Sequence, residues 1–232
     1  MELEPFLFRH EGVLVGIRSQ SDNQEVDETL DAVNHFTLRP LNRDEFVVFT
    51  LDLCHNQIDR HFSRFPEAEL EKINQMVVGR PLMERHDLRG TLPRGTFFRS
   101  RLHQEDERIS VRPDVYVLRT TENEHFIANI EGGVYRETSM GFSFETPECS
   151  VCKRDLRTCD HVPGKTYGDV LCHFVMRNIL EVIEGSVVAS GSQGTSFVAQ
   201  ERALPLSRAL EAARRAYHTP AELWSKPWWC EE

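Results

Sequence analysis

Between residues 95 and 190 the chain is written in short segments rich in β-branched and aromatic residues, and this density limits its fold more than any other feature. Strand-like pieces fall at 95–102, 114–119, 125–130, 133–145, 167–176 and 179–190, many ending at Gly, Pro, Asp or Asn. A further strand precedes them at 45–53 (EFVVFTLDL). Helical spacing appears at 66–78 (PEAELEKINQMVV), where Leu70, Ile73 and Val77 share a face before Gly79, and at 204–217 (LPLSRALEAARRAY). Residues 1–45 mix short apolar pieces with an acidic loop around 19–28. Strands do not alternate regularly with helices, so a doubly wound parallel sheet is excluded. The pattern predicts a mostly β (α+β) chain, an antiparallel sheet or barrel with peripheral helices. A length of 232 residues suits one core domain over 1–200, with 201–232 as a C-terminal helix and aromatic tail.

Composition narrows the function classes. Apolar residues at 40% and charged residues at 28% exclude wholesale disorder and collagen-like architecture. Twenty-seven Lys and Arg against 37 Asp and Glu give a net charge of −10, which argues against a nucleic-acid partner, because phosphate neutralisation needs clustered cations. No apolar run reaches the roughly 18–20 residues that span a bilayer. The segment MELEPFLFRHEG has no basic stretch of the kind that opens an export signal. An intracellular protein with no membrane partner is therefore expected.

Three of six cysteines fall within eleven residues. Cys149-x2-Cys152-x6-Cys159-x-His161, flanked by Pro147 and by Pro163-Gly164, is a Cys3His set whose thiolates and imidazole suit tetrahedral zinc. The last pair is tight, so Cys172 or His173 could stand in for His161. Four protein ligands leave no position for an activated water. The set predicts a structural Zn2+ that staples a loop, 147–165, inserted after the 133–145 strand.

Three other segments could carry chemistry. In 79–87 (GRPLMERHD) a glycine ends a helix and an extended piece leads to His86, which taken alone reads more readily as a surface or packing residue. In 130–144 (IEGGVYRETSMGFSF), period-2 reading puts Met140, Phe142 and Phe144 on one face and Ser139, Gly141 and Ser143 on the other. That describes either a half-buried strand or a face small enough for a substrate backbone to approach. In 179–190 (ILEVIEGSVVAS), Glu184 has the parity of Leu180, Val182, Ser186 and Val188. A carboxylate on an apolar face costs several kcal/mol unless paired, and a histidine is a suitable partner. An edge strand with its glutamates in water reads equally well.

Together GRPLMERHD, GGVYRETSMGF and LEVIEGSVV resemble the prohead (capsid maturation) proteases of tailed phages, distant relatives of the herpesvirus assemblins. The resemblance spans about 45–190 and includes 56–65 (NQIDRHFSRF), similar to an early N-x-x-D-R segment of that family. It implies Ser139 as nucleophile, His86 as general base and Glu184 as third member, where assemblins use a second histidine. It also implies an assemblin-like β-barrel, a possible homodimer, and major capsid and scaffold proteins as substrates in the host cytoplasm, inside the prohead. The family's Pro-Ala-Asn-like continuation is replaced here by ASGSQGTS. A catalytically silent virion or assembly protein keeping this fold and the zinc is the alternative.

Overall fold

The computed structural model describes residues 22–198; the expected helix at 204–217 and the aromatic tail lie outside them. In chain order the elements are α1 (Asp22–Asn34), β1 (Phe46–Thr50), β2 (Cys54–His55), β3 (Ser63–Arg64), α2 (Glu67–Met76), β4 (Pro81–Glu84), β5 (Gly95–Glu105), β6 (Arg108–Leu118), α3 (Thr121–Glu131), β7 (Glu137–Cys149), β8 (Thr166–Tyr167), β9 (Val170–Leu171) and β10 (Phe174–Val188). The mostly β reading holds, with three α-helices against an eight-stranded sheet among the described residues.

Strands run in the order β1-β6-β5-β4-β10-β3, with β2 against β6 and β7 against β10; β8 and β9 form a separate ribbon. The sheet is mixed rather than purely antiparallel, because β3 and β4 both pair with β10 in parallel. No closed barrel is formed by the pairings among the described residues. Parallel neighbours need a crossover, and the roughly one hundred residues that separate β3 and β4 from their partners in β10 supply it through helices and other strands.

Two sequence expectations are corrected. Residues 125–130 (HFIANI), expected as a strand, lie inside α3, which buries Phe126, Ile127 and Ile130 on one face. Such a short apolar run fits either period, and Glu122 and Glu124 in the first turn with Gly132 at the C-cap favour the helix. The acidic stretch near 19–28, expected as a loop, instead enters α1, whose Val33 packs with Leu41, Phe46, Phe98 and Tyr116. Tertiary burial of that face outweighs its weak local pattern.

α2 forms where the sequence expects it. Leu70, Ile73 and Val77 are fully buried in the main core beside Leu82, Phe97, Val115 and Val182. Its Glu69, buried in the first turn, accepts hydrogen bonds from the backbone N–H groups of Asn178 (3.1 Å) and Ile179 (2.9 Å) and an ion pair from Lys72 (3.0 Å). Burial pushes the Glu69 carboxyl upward, but the Ile179 N–H, Lys72 and the Asn178 N–H outweigh it and hold the group below its ordinary value. Asn178 has φ 57°, and the register shift in β10 follows directly, between Ile179 and Glu181. The helix therefore holds β10 just before its register shifts.

Ile73→Ala should lower unfolding free energy by about 2–5 kcal/mol, the range for a large-to-small change at a fully buried position. Urea denaturation should show a lower midpoint with an unchanged slope.

Candidate active site and metal-binding cluster

β7 and β10 form one long antiparallel pair, and its register decides which side chains meet. Directly opposed residues share a face, so Ser139 lies opposite Ser186 and Gly141 opposite Glu184. Between Val182 and Glu184 the register shifts, two β10 steps answering one on β7. Val182 therefore faces Phe142 and the core, whereas Glu184 joins the small-residue face of Ser139 and Gly141. The expected common parity of Glu184 with Val182 is broken by this bulge. Leu180, expected on the same apolar face, is 61% exposed.

His86 comes from the other side of β10. β4 pairs with Gly185–Val187, and the chain then turns through Arg85 (φ 59°) and His86 (φ 57°), two consecutive left-handed residues that are not glycine. Each such residue costs roughly 1–2 kcal/mol, and hydrogen bonds hold the turn. Arg85 N donates to Val187 O (2.9 Å), and His86 N donates to the Ser186 hydroxyl (3.1 Å). The imidazole thus reaches Glu184, with Nδ1 and Oε1 at 2.5 Å. Ser186 donates its hydroxyl to the other carboxylate oxygen, Oε2.

Glu184 is 1% exposed. An unpaired carboxylate at such depth costs several kcal/mol, and the His86 and Ser186 contacts offset it. Space for it comes from Gly141, where an added Cβ would lie 2.3 Å from Oε1. On the opposite face Gly185 lets the Phe97 ring sit against the strand, 2.6 Å from where a Cβ would stand. The hydrogen bond that Nδ1–H donates to Glu184 raises His86 above its ordinary value of 6.5, opposed by partial burial and assisted by the carboxylate's charge. With Nδ1 engaged, Nε2 is the ring nitrogen left for a substrate or nucleophile.

His86 and Glu184, both named through the resemblance, meet in the structure. Ser139 is half-buried on the same sheet face, but no hydrogen bond joins it to His86, whose bonds run to Glu184 and Ser186. Ser186 was the residue missed as a participant. Its signal was its place two residues after Glu184 in the E-x-S-x-V pattern. Of the two opposed serines, Ser186 is fully buried with its hydroxyl committed to Glu184, which leaves Ser139 as the accessible hydroxyl. Beside this group opens a cleft of about 680 Å³, floored by Val134, Tyr135, Val187 and Ala189 and edged by Arg85 and Glu137. The N-x-x-D-R segment supports the neighbouring loop: Asp59 caps its own turn at His61 and Ser63, and Arg60 donates to Ser190 Oγ (2.8 Å) and O (2.9 Å).

The other end of the β7–β10 pair carries the cysteines. The intervening loop runs 150–173, longer than the expected 147–165, and Cys149 is the last residue of β7. Donor atoms of Cys149, Cys152, Cys159 and His161 all lie within 4.8 Å of one another, a compact group able to hold a metal ion. The first pair is shaped by a tight turn in which Lys153 N donates to Cys149 O (2.9 Å), with Lys153 at φ 62°. His161 Nδ1 is buried without a hydrogen-bond partner, an orphan that a ligand bond would satisfy. The N–H of Arg154, then its side chain, His161 and Cys149, bring the Cys152 thiol down to about 6. Cys172 lies outside this group, and burial beside Cys149 pushes its thiol up to about 11. His173 Nδ1 faces Leu171 O at 3.1 Å, so His161 rather than either alternative completes the set.

Family models, curated proteins and solved structures gave no match to this chain.

The His86–Glu184 pair should leave a pH signature. A folded-state value above the unfolded one means its stabilisation is complete below about pH 6.5 and is lost as pH rises through the folded value. Glu184→Gln should therefore destabilise the protein more at about pH 5.5 than at about pH 8.5, read as the difference in urea midpoint between variant and wild type.

Proposed function

We propose that this chain is a serine endopeptidase of the prohead maturation type, which trims capsid and scaffold protein segments inside the assembling phage head in the host cytoplasm. The observation that carries the reading is a histidine held through Nδ1 by a buried carboxylate, next to a sheet face bearing an accessible serine. Peptide hydrolysis needs those three roles. Ser139 Oγ attacks the scissile carbonyl, His86 Nε2 accepts its proton and returns it to the leaving amine, and Glu184 keeps the imidazole in one tautomer and stabilises its cation. The paired left-handed residues at 85 and 86 support a functional origin, since such strain persists where a site requires it. The adjoining cleft is large enough to take side chains of an extended peptide.

The Cys3His group is read as a structural zinc site. Three thiolates and an imidazole match the softness and fourfold coordination that Zn2+ prefers, and they leave no open position for a reacting water. Bound zinc would tie the end of β7 to the loop before β10. A homodimer belongs to the same reading through the family resemblance alone.

The missing His86–Ser139 hydrogen bond favours a second reading, a catalytically silent assembly protein with this fold. Labelling separates the two. A fluorophosphonate should modify Ser139 in the wild type, and co-expression with cognate capsid and scaffold proteins should shorten at least one of them. Ser139→Ala should abolish both effects while changing stability by no more than about 1 kcal/mol, and His86→Ala should match its activity. A labelled or cleaving Ser139→Ala protein would sink the mechanism; unlabelled wild type with intact substrates in assembled particles would establish the silent reading.

Elemental analysis should find about one zinc per chain, because a structural site's binding energy is also folding energy. A chelator should lower Tm, and Cys152→Ser should reproduce the loss where Ser139→Ala does not. Metal-free protein with unchanged melting would remove zinc from the proposal.

A further inference from the structure

We propose that Ser186 is the positioning residue of the His86–Glu184 pair, a single hydroxyl that sets both where the imidazole sits and how strongly the carboxylate holds it. This rests on the peptidase reading for its catalytic consequence, though the positioning itself can be measured without turnover.

Ser186 Oγ stands between the two partners. It accepts a hydrogen bond from the His86 backbone N–H (3.1 Å) and donates to Glu184 Oε2. The first bond pins the backbone of a residue at φ 57°, a conformation the chain would otherwise leave. The second occupies the carboxylate oxygen that does not face the imidazole, so Glu184 has one oxygen for His86 and one for Ser186. The serine is fully buried, and its strand neighbours on both sides fix its height: Met83 of β4 pairs with it from one side and Ser139 of β7 from the other.

The charged groups around His86 narrow what can tune it. Glu184 of β10 is the charge that acts on the ring. On the histidine's own segment, Glu84 is paired with Arg94 (3.5 Å), Asp87 accepts from the Gly90 N–H (2.7 Å), and Arg85 lines the cleft. On the β7 side, Glu137 is bound to the Gly191 N–H (2.6 Å), and Arg136 donates to Gly133 O (2.5 Å). Removing the Ser186 donor leaves the carboxylate's negative charge concentrated on the oxygen facing His86. A proton on the imidazole is then held more tightly, and the base is less ready to take one from Ser139 at neutral pH.

The test is an NMR titration of the His86 ring in the full chain, alongside the rate of fluorophosphonate labelling at Ser139. Ser186→Ala should move the His86 midpoint upward by about 0.5–1 unit, whereas Glu184→Gln should move it downward. The acid limb of the labelling rate should follow the Ser186→Ala midpoint, with the maximal rate at neutral pH falling at least about tenfold. A purely structural serine would lower melting temperature and leave the midpoint where it is. An unchanged or lowered midpoint in folded Ser186→Ala overturns the proposal. Should that variant fail to fold, Ser186→Cys, close in shape with a weak S–H donor, is read by the same criterion. Wild-type protein that never labels overturns the peptidase reading, and the titration still decides the role of Ser186.

Discussion

Pairing of β7 with β10 is the constraint on which both candidate sites depend. One end of this long ribbon opposes Ser139 and Gly141 to Ser186 and Glu184; the other ends in Cys149, the first residue of the cysteine group. Eight residues at the strand rise put the two regions roughly 25 Å apart along one strand. A slip of one residue would turn every β7 side chain over, sending Phe142 to the site and Gly141 to the core. Register is therefore the quantity the surrounding structure must protect. Glu69 on α2 does so by holding the Asn178 and Ile179 N–H groups at the first register shift.

The buried Glu184 carboxylate is the least tolerant point in this arrangement. Its oxygens are matched one to His86 and one to Ser186, and its volume is accommodated by the absence of a side chain at Gly141. Gly185 plays the corresponding part on the reverse face, letting Phe97 close over the strand. Two glycines, one hydroxyl and one imidazole thus allow a charge to sit where apolar packing would otherwise be expected. A buried pair of this kind is weak evidence for stability and stronger evidence for a positional purpose.

Much of the molecule was legible because it followed simple periods. α2 declared itself through Leu70, Ile73 and Val77, and the β7 alternation separated Met140, Phe142 and Phe144 from Ser139, Gly141 and Ser143. The cysteine spacing likewise named the three thiols, while the structure chose His161 over Cys172 and His173 as the fourth donor. Where the pattern was short, it misled: HFIANI fits strand and helix equally, and packing of Phe126, Ile127 and Ile130 chose the helix. The acidic stretch entering α1 carried too little apolar signal to foretell that Val33 would be fully buried.

The sequence by itself determined the mostly β character, the small face around Ser139, and the clustering at 149–161 of side chains able to hold a metal, and it left Glu184 either on an apolar face or in water. These are local properties, set by side-chain type and spacing along a few residues. Tertiary structure alone decided that Glu184 leaves the parity of Val182, that His86 reaches it through two left-handed residues, and that Ser186 joins the pair. Bulges, parallel crossovers and cross-strand hydrogen bonds arise from pairing between segments about a hundred residues apart in the case of His86 and Ser186. No period within one segment encodes the register at which another segment meets it.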